Sequence, residues 1–180
     1  MTNYKIDPDH SDIRFKVKHM MISTVSGIFK NFTATLESEN EDLTDAKITF
    51  EADVDSIDTK NSDRDAHLKS DDFFNAEQFP KLKFVSNSIT KVEDNEYKMK
   101  GDLTIRDVTK PITLEVEYNG TQTDPYGQVK SGFEIKGKIS RKEYGLKWNA
   151  ITEAGGVVVS DEVKLDLEVQ MVKQAELELV

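Results

Sequence analysis

The chain is 180 residues long, 37% apolar and 32% charged, which is enough for one domain with a substantial core, and no Pro/Gly/Ser-rich stretch divides it. Its 24 lysines and arginines stand against 34 aspartates and glutamates, a net charge of −10. That surface repels nucleic acid and anionic head groups at long range, so an anionic ligand has to be met by a local cluster of cations.

The absence of cysteine excludes disulfides, thiolate catalysis and cysteine-based zinc or iron–sulfur sites. No window approaches the roughly 20 apolar residues of a membrane-spanning helix. The opening residues MTNYKIDPDHSDIRF carry no basic segment followed by an apolar one. The expectation is therefore a cytoplasmic protein without a signal peptide and without stable membrane insertion, residues 1–180 forming a single domain.

Along most of the chain apolar and polar residues alternate, the period of a half-buried strand. Ile13, Phe15 and Val17 begin the series; Val25, Gly27 and Phe29 continue it, and the phase then flips to Phe32, Ala34 and Leu36, as one extra residue in a β-bulge causes. Ile48, Phe50, Ala52 and Val54 follow, then Leu82 and Phe84. The longest runs are Tyr97 to Ile105, Ile112 to Tyr118, Phe133 to Ile139 and Val163 to Met171. These predict eight strands joined by turn signals such as Asn119-Gly120 and DPYG at 124–127. One wet face per strand excludes a parallel sheet covered by helices on both sides. The predicted class is all-β: an antiparallel eight-stranded barrel, with a two-sheet sandwich as the competitor.

A barrel of this size is either just filled by side chains or holds one small ligand. Gly27, Ala34, Ala52, Gly101 and Gly137 fall at inward positions. Either they leave room for a long, narrow, apolar cavity, or they relieve crowding in a solid, twisted barrel.

Parity also places His19 and Arg141 on the dry face, at the ends of their strands. A cation and a titratable ring there suit an anionic or polar head group whose tail lies along the wall. Alternatively, His19 lies beyond the last paired residue and faces water, while Arg141 pairs with a local acid such as Glu143. The histidines His10, His19 and His67 have none of the short spacings of a metal site. No nucleophile elbow, phosphate-cradling glycine loop or base-activated serine is visible.

Residues 62–74, SDRDAHLKSDDFF, break the pattern. Ser62 as N-cap with Asp65 three positions on predicts a capped helix within a helical insertion around 62–75, and Phe73 and Phe74 are then driven inward to close one side of the barrel. Arg64 and His67, three apart, share a helix face.

The segments SIDTKNSDRDAHLKSDDFFNAEQFPKLKF (56–84) and GDLTIRDVTKPITLEV (101–116) resemble signature segments of the YceI-like family. HSDIRFKVKHMMISTVSGIFKNF (10–32) and GFEIKGKISRKEYGL (132–146) resemble its opening strands and its late arginine-containing strand. The resemblance spans nearly the whole chain. It implies an extended lipocalin-like barrel whose hydrophobic tunnel binds polyisoprenoid lipids, polyprenyl pyrophosphates among them, in proteins that are commonly dimeric and have no established family-wide reaction. Two departures stand out. Many relatives carry a signal peptide, and the family's IRDFG-like turn is here Arg141-Lys142-Glu143-Tyr144-Gly145.

The expectation is a non-enzymatic homodimeric carrier of an isoprenoid lipid, without metal or cofactor. Its wall includes Phe15, Val17, Phe29, Phe50, Phe73, Phe74, Phe84, Leu103, Leu114 and Phe133; its polar end draws on His19, Arg64, His67 and Arg141. The alternative is an enzyme acting on a lipid in the tunnel, with His67 or His19 and a neighbouring aspartate as acid and base.

Overall fold

The computed structural model describes residues 1–40, 42–149 and 158–175. Its strands are β1 (Thr2–Ile6), β2 (Asp12–His19), β3 (Ser23–Phe29), β4 (Phe32–Ser38), β5 (Lys47–Asp53), β6 (Ile57–Asp58), β7 (Lys81–Glu93), β8 (Glu96–Ile105), β9 (Val108–Thr123), β10 (Val129–Ser140) and β11 (Val159–Lys173). One α-helix, α1 (Ser62–Lys69), sits between β6 and β7, and a short 3-10 turn, Arg141–Tyr144, follows β10.

Every pairing is antiparallel, and the ring β1-β4-β5-β7-β8-β9-β10-β11 closes through β1 against β11. β2, β3 and β6 continue the lines of β1, β4 and β5: β2 pairs with β11, β3 with β2, and β6 with β3. Counting each interrupted line once leaves eight strands in an up-and-down barrel. Closure removes the free edges that an open sheet of this length would expose.

The alternation has its expected effect. In β8, Tyr97, Met99, Leu103 and Ile105 are all buried, while Lys98 and Lys100 face water. The phase flip at Lys30-Asn31 is a two-residue break between β3 and β4 and not the expected one-residue bulge, bridged to the β5–β6 connection by Lys30 N–H to Ser56 O and Asp53 N–H to Asn31 O. Three further details differ from the sequence expectation. β1 is an additional strand, too short at five residues to show a convincing alternation.

Asn119-Gly120 does not join two strands but lies inside β9, where the pairing shifts between Gly132↔Gly120 and Phe133↔Tyr118 and leaves Asn119 as the extra residue of a bulge. Gly120 takes φ +111, which glycine supplies at little cost. Finally, the helix is capped by Asn61 instead of Ser62: the Asn61 side chain accepts from Arg64 N–H at 3.0 Å, and α1 ends at Lys69, with turns carrying the chain to Pro80. Asp65 closes no capping box; its carboxylate accepts from Thr59 N–H (2.9 Å) and Thr59 Oγ1 (2.5 Å).

The up-and-down order gathers the β2–β3 turn, α1 with the segment up to β7, the β8–β9 turn and the β10–β11 connection at one end of the barrel, the helix end. Arg106, in the β8–β9 turn, straps that end together. Its guanidinium donates to Asp71 O and Phe73 O (both 3.0 Å) and to Asp71 Oδ1 (2.9 Å), and lies over the Phe79 ring.

Candidate functional site: an apolar cavity ending at a buried arginine

The barrel encloses a cavity of about 230 Å³. Its wall is apolar throughout apart from Arg14, Tyr97 and Arg141. Most wall residues follow from strand parity, since alternate side chains point inward, and contributions come from every strand but β6. Leu43, Ala46, Leu68, Phe73, Phe74, Arg141 and Leu146 reach the wall from the helix, turns and connections, and Arg14 reaches it out of phase with Ile13 and Phe15. Phe15, Val17, Phe29, Phe50, Phe73, Phe74, Phe84, Leu103, Leu114 and Phe133 all lie on it. Phe73 is buried and Phe74 half-buried, and the Phe74 ring meets Phe29 edge-on at 6.1 Å, so this segment closes part of the helix end.

The small inward residues do not open this space. A Cβ on Gly27 would stand 2.3 Å from Phe15 Cζ, one on Gly101 2.4 Å from Phe84 Cζ, and one on Gly137 2.5 Å from Leu114 Cδ2. Each glycine gives its volume to a large side chain of the adjacent strand, as glycines in curved sheets commonly do. Ala52 is fully packed and off the wall, whereas Ala34 lies on it. The small residues thus relieve crowding, and the cavity is there in addition.

The four polar candidates lie at or near the helix end, but only Arg141 reaches the cavity. It is 3% exposed and donates Nε to Ser160 O (2.8 Å), Nη1 to Leu146 O (2.6 Å) and Trp148 O (2.8 Å), and Nη2 to Val159 O (3.1 Å). The expected local acid, Glu143, is not its partner; among the described residues no carboxylate lies within salt-bridge distance of Arg141. The reason is geometric, since the 3-10 turn folds the chain back so that main-chain carbonyls surround the guanidinium. Burial lowers the arginine's pKa, partly offset by the charge of Asp161. Asp161 is itself pushed up by burial but held below the usual range by hydrogen bonds from Ser140 Oγ and Lys142 N–H.

Arg64 turns back onto Thr59, donating to its Oγ1 (2.8 Å) and its carbonyl (2.7 Å). His67 turns the other way: Nε2 is 2.8 Å from Asp72 Oδ2, and its ring meets Trp148 edge-on at 4.7 Å and Phe73 at 5.1 Å. The shared helix face therefore meets no common ligand site, and both side chains fasten α1 to its neighbours. His19, half-buried, pairs with Ser23 and Val159 through the strands and lies off the wall.

Trp148 was not singled out from the sequence, yet it joins His67 and Phe73, and its carbonyl binds Arg141. It lies outside any alternating run, so only the fold brings it here. Among the described residues no three His, Asp or Glu side chains gather as a metal site demands, and no helix is long and apolar enough to cross a membrane.

The comparisons agree with this architecture. A YceI-like domain model matches residues 4–171. A UPF0312 protein of Staphylococcus epidermidis is 44% identical over 167 residues, 92% of this chain and 95% of that one. The crystal structure of Burkholderia cenocepacia BcnA superposes with a TM-score of 0.80 at 22% identity, covering 92% of this chain and 98% of that one. A polyisoprenoid binding domain from Saccharophagus degradans, implicated in plant cell wall breakdown, superposes with a TM-score of 0.72 at 13% identity, covering 95% and 98%. Carrying the family's domain over nearly its full length on a closed eight-stranded barrel, the chain belongs to the YceI-like family.

Proposed function

We propose that the protein binds a long-chain isoprenoid lipid, of the polyprenyl or polyprenyl pyrophosphate type, inside the barrel, and carries, stores or sequesters it unchanged. The observation that carries this reading is the continuous apolar wall ending at one buried cation. Binding of polyisoprenoid by the Saccharophagus degradans domain of the same fold supports the ligand class.

Each buried CH₂ contributes about 0.8 kcal/mol, so a few prenyl units outweigh the roughly 1.5–3 kcal/mol of one charge-assisted hydrogen bond. The tail sets affinity, and the head group sets orientation. Arg141 has five N–H donors, and carbonyls take four of them. What it offers a head group is its charge and one remaining Nη2 N–H, which has no partner among the described residues. The open volume, about 230 Å³, is below the roughly 300–1,000 Å³ of drug-sized sites, so a long chain either displaces wall side chains or inserts only its terminal units.

Turnover of the lipid finds little support in the geometry: the His67–Asp72 pair and His19 lie off the wall. Lipid extraction and native mass spectrometry of protein purified without detergent test the proposal, with recovery of a bound isoprenoid expected. Repeated recovery of empty protein that also takes up no added polyprenyl phosphate would sink it, and a chemically altered lipid after incubation would turn the reading to an enzyme. The homodimer implied by the family belongs to the same reading and is measured by analytical ultracentrifugation of the same samples.

A further inference from the structure

We propose that the tip of the β2–β3 hairpin, Met20-Met21-Ile22, docks the barrel onto an anionic lipid bilayer, helix end first. The three residues are 44%, 63% and 84% exposed, a contiguous apolar run, whereas the other exposed large apolar residues, Met1, Val85, Val92 and Tyr126, are scattered. None of the three belongs to the core or to the cavity wall.

Their backbone makes the choice of residue more telling. The turn is closed by Ile22 N–H to His19 O at 3.2 Å, with Met20 at φ 52 and Met21 at φ 58. Both lie in the left-handed region, where glycine or asparagine sits with less strain. Met20 N–H donates to Val158 O at 2.6 Å and so ties the tip to the β10–β11 connection, but neither methionine side chain belongs to the core of the described residues, and that backbone bond does not call for methionine. Strain of this kind, kept without a packing gain, points to contact with something outside the chain.

The charge pattern says what that is. Between Asp12 and Glu37 the chain carries no carboxylate, while Arg14, Lys16, Lys18 and Lys30 all fall there, in a molecule whose net charge is −10. Arg14 faces Asp12 (3.8 Å), Lys16 Asp166 (3.5 Å) and Lys30 Asp58 (3.0 Å); Lys18, two residues before the tip, has no ion-pair partner among the described residues. An apolar tip with a cation at its base suits an anionic bilayer: the tip enters the interface and Lys18 meets head groups, while the exposed acids of the same end, among them Asp63, Asp71, Asp72 and Asp107, are repelled and keep the rest of the barrel clear of the surface. The tip extends the hairpin whose Phe15, Val17 and Phe29 line the cavity. Docking there turns the helix end toward the lipid phase.

That docking serves to load or deliver lipid rests on the function proposed above; the docking itself does not, and is measured without isoprenoid. The full-length protein is sedimented with vesicles of phosphatidylglycerol and phosphatidylcholine, and with phosphatidylcholine alone. Binding is expected to the anionic vesicles only, and to weaken in high salt as the screening length shortens. The variants M20N/M21G and I22S should each lose about tenfold or more in vesicle affinity, and K18Q about fivefold. M20N/M21G should melt no lower than the parent, because it removes the strain. Uptake of detergent-dispersed polyprenyl phosphate should be unchanged in all three.

Wild-type protein that ignores anionic vesicles would overturn the proposal, as would an I22S variant that binds them like the parent. So would a tip whose replacement converts dimer to monomer in a protein without vesicle affinity, since the tip would then be a subunit contact. Vesicle binding without any isoprenoid uptake would support docking and count against lipid carriage.

Discussion

Phe84 fills the space a side chain at residue 101 would need: a Cβ there would lie 2.4 Å from Phe84 Cζ and 2.5 Å from the main-chain oxygen of Val85. The ring can swing, but the carbonyl belongs to the sheet and cannot. Gly101→Ala is expected to cost about 1–3 kcal/mol by overpacking, read as a lower urea midpoint. An unchanged midpoint would mean the strand yields where this packing says it does not.

Ala34 gives the opposite outcome, because it borders open volume, with Phe50 directly across from it in β5 on the same wall. Ala34→Leu is expected to alter stability by less than about 1.5 kcal/mol while reducing isoprenoid uptake about fivefold or more, since it takes volume the tail needs. Calorimetry and ligand titration on one sample check both. Full uptake in this variant would place the lipid elsewhere.

Arg141 holds the β10–β11 connection by four carbonyls, those of Leu146, Trp148, Val159 and Ser160. Arg141→Gln leaves most of them unpaired and is expected to cost about 2–4 kcal/mol. Arg141→Lys restores the charge but not the planar fork of donors, so it should recover less than half of that loss. Thermal melts of the two variants separate charge from geometry.

Tyr144 is 1% exposed, and its hydroxyl finds no hydrogen-bond partner among the described residues. Burial, with Glu143 adding to it, pushes the hydroxyl up to about 12. A raised folded value means that Tyr144 contributes fully below the ordinary 10.0 and loses its contribution as pH rises toward 12. Tyr144→Phe is expected to be neutral or to gain up to about 1–2 kcal/mol at pH 7, and to flatten the alkaline loss. Urea titrations at pH 8 and above read both effects.

At the far end of the barrel, Lys130 joins Asp7 (3.1 Å) and Asp124 (3.4 Å), and His10 bonds Asp7 at 2.8 Å. Burial pushes Asp7 up, but hydrogen bonds from His10, Lys130 and Asp9 N–H outweigh it and leave it lowered; Asp124 is lowered first by Gln128 N–H. Their stabilisation is therefore present above the ordinary 3.8 and lost as pH falls through the folded values. Lys130 is raised, chiefly by its bond to Asp7, so its share persists below 10.5 and fades as pH rises through its folded value. Asp7→Asn should shrink the stability difference between pH 7 and pH 3, and an unchanged difference would assign the acid limb to other carboxylates.

The sequence by itself determined the all-β class, the eight strand lines and the inward set of aromatic and aliphatic residues, because side-chain alternation is a local property that needs no knowledge of the partner strand. It also marked the helical interruption, though the capping residue moved to Asn61 once Asp65 was drawn to Thr59. Tertiary structure alone decided what each inward position faces. The register of β7 on β8 places Phe84 beside Gly101, and that of β9 makes Asn119 a bulge instead of a turn. Barrel closure brings α1 against the β10–β11 connection, so that His67 meets Trp148 while Arg141 meets carbonyls in place of an acid. Those contacts join residues far apart in the chain, and their geometry depends on strand register and closure, which periodicity along the sequence does not encode.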